Sequence, residues 1–252
     1  MNASSPEPTP TLTTPPLEPA PEDWSRLLAI AAHPDDLEYG TSCAVARWTG
    51  LGKAAAYVMV TRGEAGIDAW PPEKSGPIRE AEEIESARLV GVNSVTFLGY
   101  RDGMVEYGLG LRRDLAREIR RFRPEALAIG GFDLAWPGGF LNQADHRAVG
   151  LAVCDAARDA GNRWIFPELL SEGFEPWGGV RYIFVSGAHQ PTHACDIATG
   201  LEQGIASLEA QKAYFENLGR PFDIDAFLRK QAATAGARFG CEVATAFQVL
   251  YV

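Results

Sequence analysis

The residues best equipped for chemistry lie in two short stretches. AHPDDLEYG (32–40) puts His33, Asp35, Asp36 and Glu38 within six residues, and LNQADHRAVG (141–150) puts His146 beside Asp145. Pro34 fixes a turn just after His33, which lets the chain double back and aim several of these side chains at one point. Adjacent carboxylates repel unless a cation or a shared proton relieves them. Consecutive side chains also point in different directions, so one aspartate can ligate a metal while its neighbour stays free for proton transfer. A catalytic zinc takes three protein ligands of N, O or S type and keeps one position open for water. His33, Asp36 and His146 would supply such a set of two histidines and one carboxylate. The plain structural alternative is that His33 is a capping or satisfied core histidine, the aspartates an N-cap pair, and His146 a surface residue at a helix start. His189 and His193 are the two remaining histidines; Pro191 between them and the lack of helical periodicity make them loop residues with no expected ligand role.

The pattern from Arg26 onward supplies elements to position these groups. RLLAIAA is a short apolar run that ends at His33, followed by a helix at 39–51 and a strand at 53–61. A helix at 78–91 places Ile84, Ala87 and Leu89/Val90 at helical spacing and stops at Gly91. Strand 94–100, helix 111–122 (stopped by Pro124), strand 126–132, helix 145–161 with Asp145 as N-cap, and strand 180–187 follow in turn. Two helices near 201–218 and 223–238 and a last strand at 242–252 complete the chain. Alternating strands and helices predict βαβ units: an α/β, Rossmann-like three-layer α/β/α sandwich with a mostly parallel sheet. Ligands in such sheets gather outside the carboxyl ends of the strands, where both polar stretches fall.

Composition bounds the function. The 252 residues suit one domain, assigned to 23–252, and the Pro/Thr-rich segment 1–22 has too little apolar surface to offset its ordering entropy, so a disordered tail is expected. A formal charge of −10 opposes binding to nucleic acid, and no apolar run is long enough for stable membrane insertion. The cysteines Cys43, Cys154, Cys195 and Cys241 are far apart with no C-x-x-C pair, which predicts free thiols in a reducing compartment. With no signal peptide evident, a cytoplasmic location follows by elimination. A homo-oligomer is compatible with this composition.

In combination, these motifs carry a family resemblance. AHPDD after the first strand, TRGEAG (61–66) after the second, Arg79 and Glu82 in an R-x-x-E helix, FLGYRDG (97–103) after the third and NQADHRAVG after the fourth resemble, in order, the LmbE-like or PIG-L family of zinc-dependent N-deacetylases. The resemblance implies Zn2+ held by His33, Asp36 and His146, with Asp35 as general base. It implies hydrolysis of an acyl group, acetyl above all, from a small-molecule N-acyl amino sugar or glycoconjugate. Arg62, Glu64 and Asp102 are then candidates for binding the substrate. Trp70, Trp136 and Phe140 are candidates for stacking on it or for anchoring their loops. One departure stands out: where the family carries a histidine three residues before the last ligand, this chain has Gln143. Glutamine can donate a hydrogen bond to an oxyanion but cannot transfer a proton. Gln211 occupies a second position where relatives carry histidine. Gln143 therefore keeps an alternative open, a metal-binding relative of low or no activity that serves as a ligand-binding protein. A dinucleotide-binding oxidoreductase is disfavoured, because HPDDLEYG stands where G-x-G-x-x-G would cradle a phosphate.

Overall fold

The strand that leads to His33, β2 (Arg26–Ala31), is buried from Leu27 onward on both faces, as a strand covered by helices on each side must be. The computed structural model describes residues 15–252. Parallel neighbours flank β2: β3 (Ala54–Met59) and then β4 (Val95–Phe97) on one side, β5 (Ala126–Gly130) and then β6 (Tyr182–Ser186) on the other. Beyond β6 the sheet continues through β8 (Ala244–Tyr251), antiparallel to β6, and β7 (His193–Asp196), antiparallel to β8. A two-residue strand, β1 (Glu18–Pro19), completes the order β1-β7-β8-β6-β5-β2-β3-β4. The chain thus moves outward from β2 in one direction and returns to start again on its other side. The crevice between the carboxyl ends of β2 and β5 is the topological switch point.

Alternate residues of β2 serve opposite faces. Leu27, Ala29 and Ala31 pack with α2 (Ser42–Gly50), α3 (Pro72–Leu89), α7 (Leu201–Glu209) and α9 (Ile224–Phe239), while Leu28, Ile30 and Ala32 pack with α4 (Leu109–Phe122) and α5 (Ala144–Asp159). Helix α4 shows why: Leu111, Leu115 and Ile119 recur every four residues and are all buried, while its arginines face outward or pair. The short helices α1 (Asp36–Gly40), α6 (Glu168–Ser171) and α8 (Lys212–Glu216) fill the connections. The result is the expected α/β/α sandwich. No helix among the described residues is long and apolar enough to cross a membrane, and all four cysteines are unpaired.

Three expectations need adjustment. Residues 1–14 of the expected tail lie outside the described residues, but 15–22 are not a free tail. Leu17 and Ala20 are buried, and the backbone N–H groups of Glu18 and Ala20 donate to the open edge of β7 at Thr192 and Ala194. Pro19 lacks an N–H and is tolerated because this is the edge strand. The helix expected over 201–218 breaks into α7 and α8 at Gln211, whose side chain is fully buried and bonded elsewhere. His193 belongs to β7 and not to a loop: four residues without an apolar run form a strand because β8 and β1 offer pairing on both sides.

Candidate metal centre

His33 leaves the sheet two residues after β2, and His146 lies in the first turn of α5. Pro34 and a left-handed Asp35 (φ 86°) turn the chain sharply, and aspartate is among the few residues that tolerate this conformation. The turn is closed by Asp36, whose Oδ2 accepts the His33 backbone N–H at 2.8 Å. Three side chains then turn ligand atoms towards one point, Asp36 offering both of its oxygens. His33 Nδ1 is 3.2 Å from His146 Nε2, His146 Nε2 is 3.0 Å from Asp36 Oδ1, and His33 Nδ1 is 3.4 Å from Asp36 Oδ2. A tetrahedral zinc with ligands at about 2.0–2.1 Å has ligand-to-ligand edges of about 3.4 Å. The donor set and its spacing therefore fit a small divalent ion.

The far side of each imidazole is held as well. His33 Nε2 lies 3.0 Å from Asp102 Oδ1 and 3.3 Å from Asp145 Oδ2, and His146 Nδ1 lies 2.8 Å from Asn142 Oδ1. With an ion bound, each ring would donate an N–H backward and turn its other nitrogen's lone pair forward. Asn142 is itself pinned, its Nδ2 donating to the carbonyls of Gly131 and Asp133. His33, Asp102 and Asp145 also lie close enough to form a second ion group. Their oxygens are already committed: Asp145 accepts from the N–H groups of Gly103 and Val105, and Asp102 Oδ2 from that of Ala65. This group supports His33.

The electrostatics separate the two adjacent aspartates. Burial would raise the Asp36 carboxyl, but the imidazoles of His146 and His33 outweigh it and hold the group well below its usual range. Burial pushes Asp35 up to about 7, although the Arg79 guanidinium lies 3.1 Å away and opposes the shift. Arg79, also buried, donates to the carbonyls of Pro34 and Gly63, so one side chain ties together both loops of this rim. Burial disfavours a charged His33, yet the carboxylates of Asp36, Asp102 and Asp145 raise its pKa well above the usual value. Beneath Asp35 lies a buried carboxyl, Glu83, whose Oε2 accepts from the Asp35 N–H at 3.3 Å and from Gln211 Nε2 at 2.8 Å.

The structure brings together His33, Asp35, Asp36 and His146, and places Gln143 as the exposed N-cap of α5 at the mouth of the adjoining cavity. Arg62, Glu64 and Asp102 do not line that cavity. Arg62 pairs with Glu80, Glu64 accepts the N–H groups of Arg62 and Asp102, and Asp102 backs His33, so each of the three has a partner within the protein. Trp136 packs edge-on to His146 at 5.7 Å between ring centroids, and Lys74 lies over the ring of Trp70. Phe140 stands exposed at the mouth. Reading the sequence missed Asn142, Arg79 as a loop tie, and Tyr214, which lines the cavity with Arg79 over its ring. Asn142 carried a usable signal, since it precedes His146 by one helical turn.

The sequence matches the profile of the family described as PIG-L: GlcNAc-PI de-N-acetylase over residues 28–157, more than half of the chain. Diacetylchitobiose deacetylase of Thermococcus kodakarensis is 25% identical over 197 residues, covering 77% of this chain and 71% of that one. A 1D-myo-inositol 2-acetamido-2-deoxy-alpha-D-glucopyranoside deacetylase of Kineococcus radiotolerans is 30% identical over 178 residues, 54% of this chain and 48% of that protein, so the chain spans about half the length of this relative. The structure of N,N'-diacetylchitobiose deacetylase from Pyrococcus horikoshii superposes with a TM-score of 0.80 at 26% identity, over 90% of this chain and 84% of that one.

Proposed function

The chain belongs to the PIG-L family of deacetylases, and from that premise we propose that it is a zinc-dependent hydrolase that removes an acyl group from the amine of an amino sugar or amino-sugar conjugate. The observation that carries this reading is the three-residue set His33, Asp36 and His146, whose nitrogens and carboxylate oxygens lie at distances that fit a zinc tetrahedron, with both imidazoles held from behind. A divalent ion held there lowers the pKa of water towards about 7 and polarises an amide carbonyl. Asp35, next in the chain to a ligand and fixed by Arg79, accepts the proton of the attacking water. The amine must leave protonated, and Asp35 returning that proton is the simplest route, because Gln143 cannot act as an acid. The Gln143 amide, at the cavity mouth, donates to the developing oxyanion. In this reading Asp102 acts through His33, and Arg62 and Glu64 shape the loop that carries Asp102. We place the reaction in the cytoplasm, consistent with four free thiols.

Metal analysis of the purified protein, alongside assays for released amine and carboxylate, tests this reading. One zinc per chain and hydrolysis of N-acetylglucosamine conjugates are expected, with both lost in His146→Ala. Stoichiometric zinc without hydrolysis of any N-acyl amino sugar would favour the ligand-binding alternative that Gln143 keeps open. Gln143→His tests whether that position limits the rate.

A further inference from the structure

Next to the metal centre a cavity of about 900 Å³ runs inward past the ends of β2 and β5 and beneath α9. That is near the top of the range of roughly 300–1,000 Å³ for pockets that take drug-sized ligands, and far more than an acetyl group occupies. The mouth is open and of mixed character: Gln143 and Phe140 are both exposed there. Much of the interior is walled by Ile30, Cys43, Ile197, Leu228, Ala232 and Ala244, none more than 6% exposed, although Glu38, Lys230 and Arg238 also line the cavity. Two of the hydroxyls that line it are engaged with each other and the backbone: Thr41 Oγ1 donates to Ser186 Oγ at 3.2 Å, which in turn donates to the Ile129 carbonyl.

An amide at this centre has two substituents. The sugar on its nitrogen carries hydroxyls that need partners or water, and burying them against this wall would leave them unpaired. The group on its carbonyl carbon is hydrocarbon and matches the wall. We infer that the cavity takes the alkyl chain of an N-acyl group several carbons longer than acetyl, with the sugar left at the mouth. This inference rests on the amide-hydrolysis reading above and specifies its substrate.

The test compares kcat/KM of the zinc-loaded protein for three compounds: N-acetylglucosamine, N-octanoylglucosamine, and the octyl glycoside of N-acetylglucosamine. Each methylene taken out of water is worth about a fourfold gain, so the octanoyl amide is expected to exceed the acetyl amide by about tenfold or more. Ala232→Leu and Ala235→Leu, made singly to fill the cavity, are expected to lower the octanoyl-to-acetyl ratio several-fold. Melting temperature and zinc content report whether each variant is folded. Hydrolysis of the acetyl but not the octanoyl amide would overturn the inference while leaving the proposed function standing. A preference for the octyl glycoside alone would overturn it in favour of an apolar aglycone. No hydrolysis of any of the three would remove the proposed function and the inference together.

Discussion

Asp35 and Asp36 are neighbours in the chain but sit in opposite environments. Asp36 faces two imidazoles, and Asp35 turns away from them through a left-handed backbone towards Arg79. Asparagine tolerates that backbone as well as aspartate does. Asp35→Asn is therefore expected to fold and to retain its metal, while losing a factor of about 10²–10⁴ in kcat for want of a proton acceptor. Unchanged kcat with full metal occupancy would remove Asp35 from the reaction. Asn142 makes a different prediction. It orients His146 and ties the loop after β5, so Asn142→Ala is expected to weaken zinc affinity by about 10–100-fold, as read by competition with a chelator. At this scale the sequence was informative where side-chain type points to a shared site, and His33, Asp36 and His146 do come together in the fold. It was uninformative where the partner is a distant backbone group. Glu64 and Asp102 read as substrate ligands because nothing local reveals that the N–H groups of Asp102 and Ala65 would consume them.

Among elements, α3 is the one whose side chains frame the 33–36 turn from outside. Arg79 joins it to the 33–36 turn and to the loop after β3, and removing its buried charge leaves Asp35 and two carbonyls unpaired. Arg79→Ala is expected to cost about 3 kcal/mol in urea denaturation, within the range for breaking a buried ion pair from one side. One turn further along α3, burial together with the charges of Glu38 and Asp35 holds the Glu83 carboxyl well above its usual value. The folded protein thus keeps a proton that the unfolded chain gives up near about 4.3. Stability from this site is complete below that value and is lost as pH rises towards the folded pKa. In metal-free protein, Glu83→Gln is expected to gain stability relative to wild type as pH rises above about 4.3. A difference that stays flat with pH would contradict this account of Glu83. The core elements were legible from periodicity, since β2 and α4 bury the residues their patterns select. β7 and the break at Gln211 were not, because pairing with β8 and a buried contact to Glu83 create them.

For the whole molecule, one topological fact organises the rest. The order in which strands are added reverses between the parallel neighbours β2 and β5, and each strand leads into one half of the candidate metal set: His33 and Asp36 after β2, His146 after β5. Alternation along the sequence was enough to foresee the sandwich and the end of the sheet where ligands collect. It could not reveal the depth of the cavity, which depends on how α9 and β8 close over the strand ends. Because both halves of the site meet only in the folded chain, an ion bound there would link metal binding to folding. Stripping the metal is expected to lower the melting temperature, and adding zinc back is expected to restore it.

The most direct measurement is a titration of metal-free protein with zinc, following release of free amine from an N-acyl amino sugar. Release is expected to rise in proportion to added zinc and to level off at one equivalent per chain. A protein that binds its equivalent of zinc and still releases no amine, or releases it at the same rate without zinc, would contradict a hydrolytic metal centre on His33, Asp36 and His146.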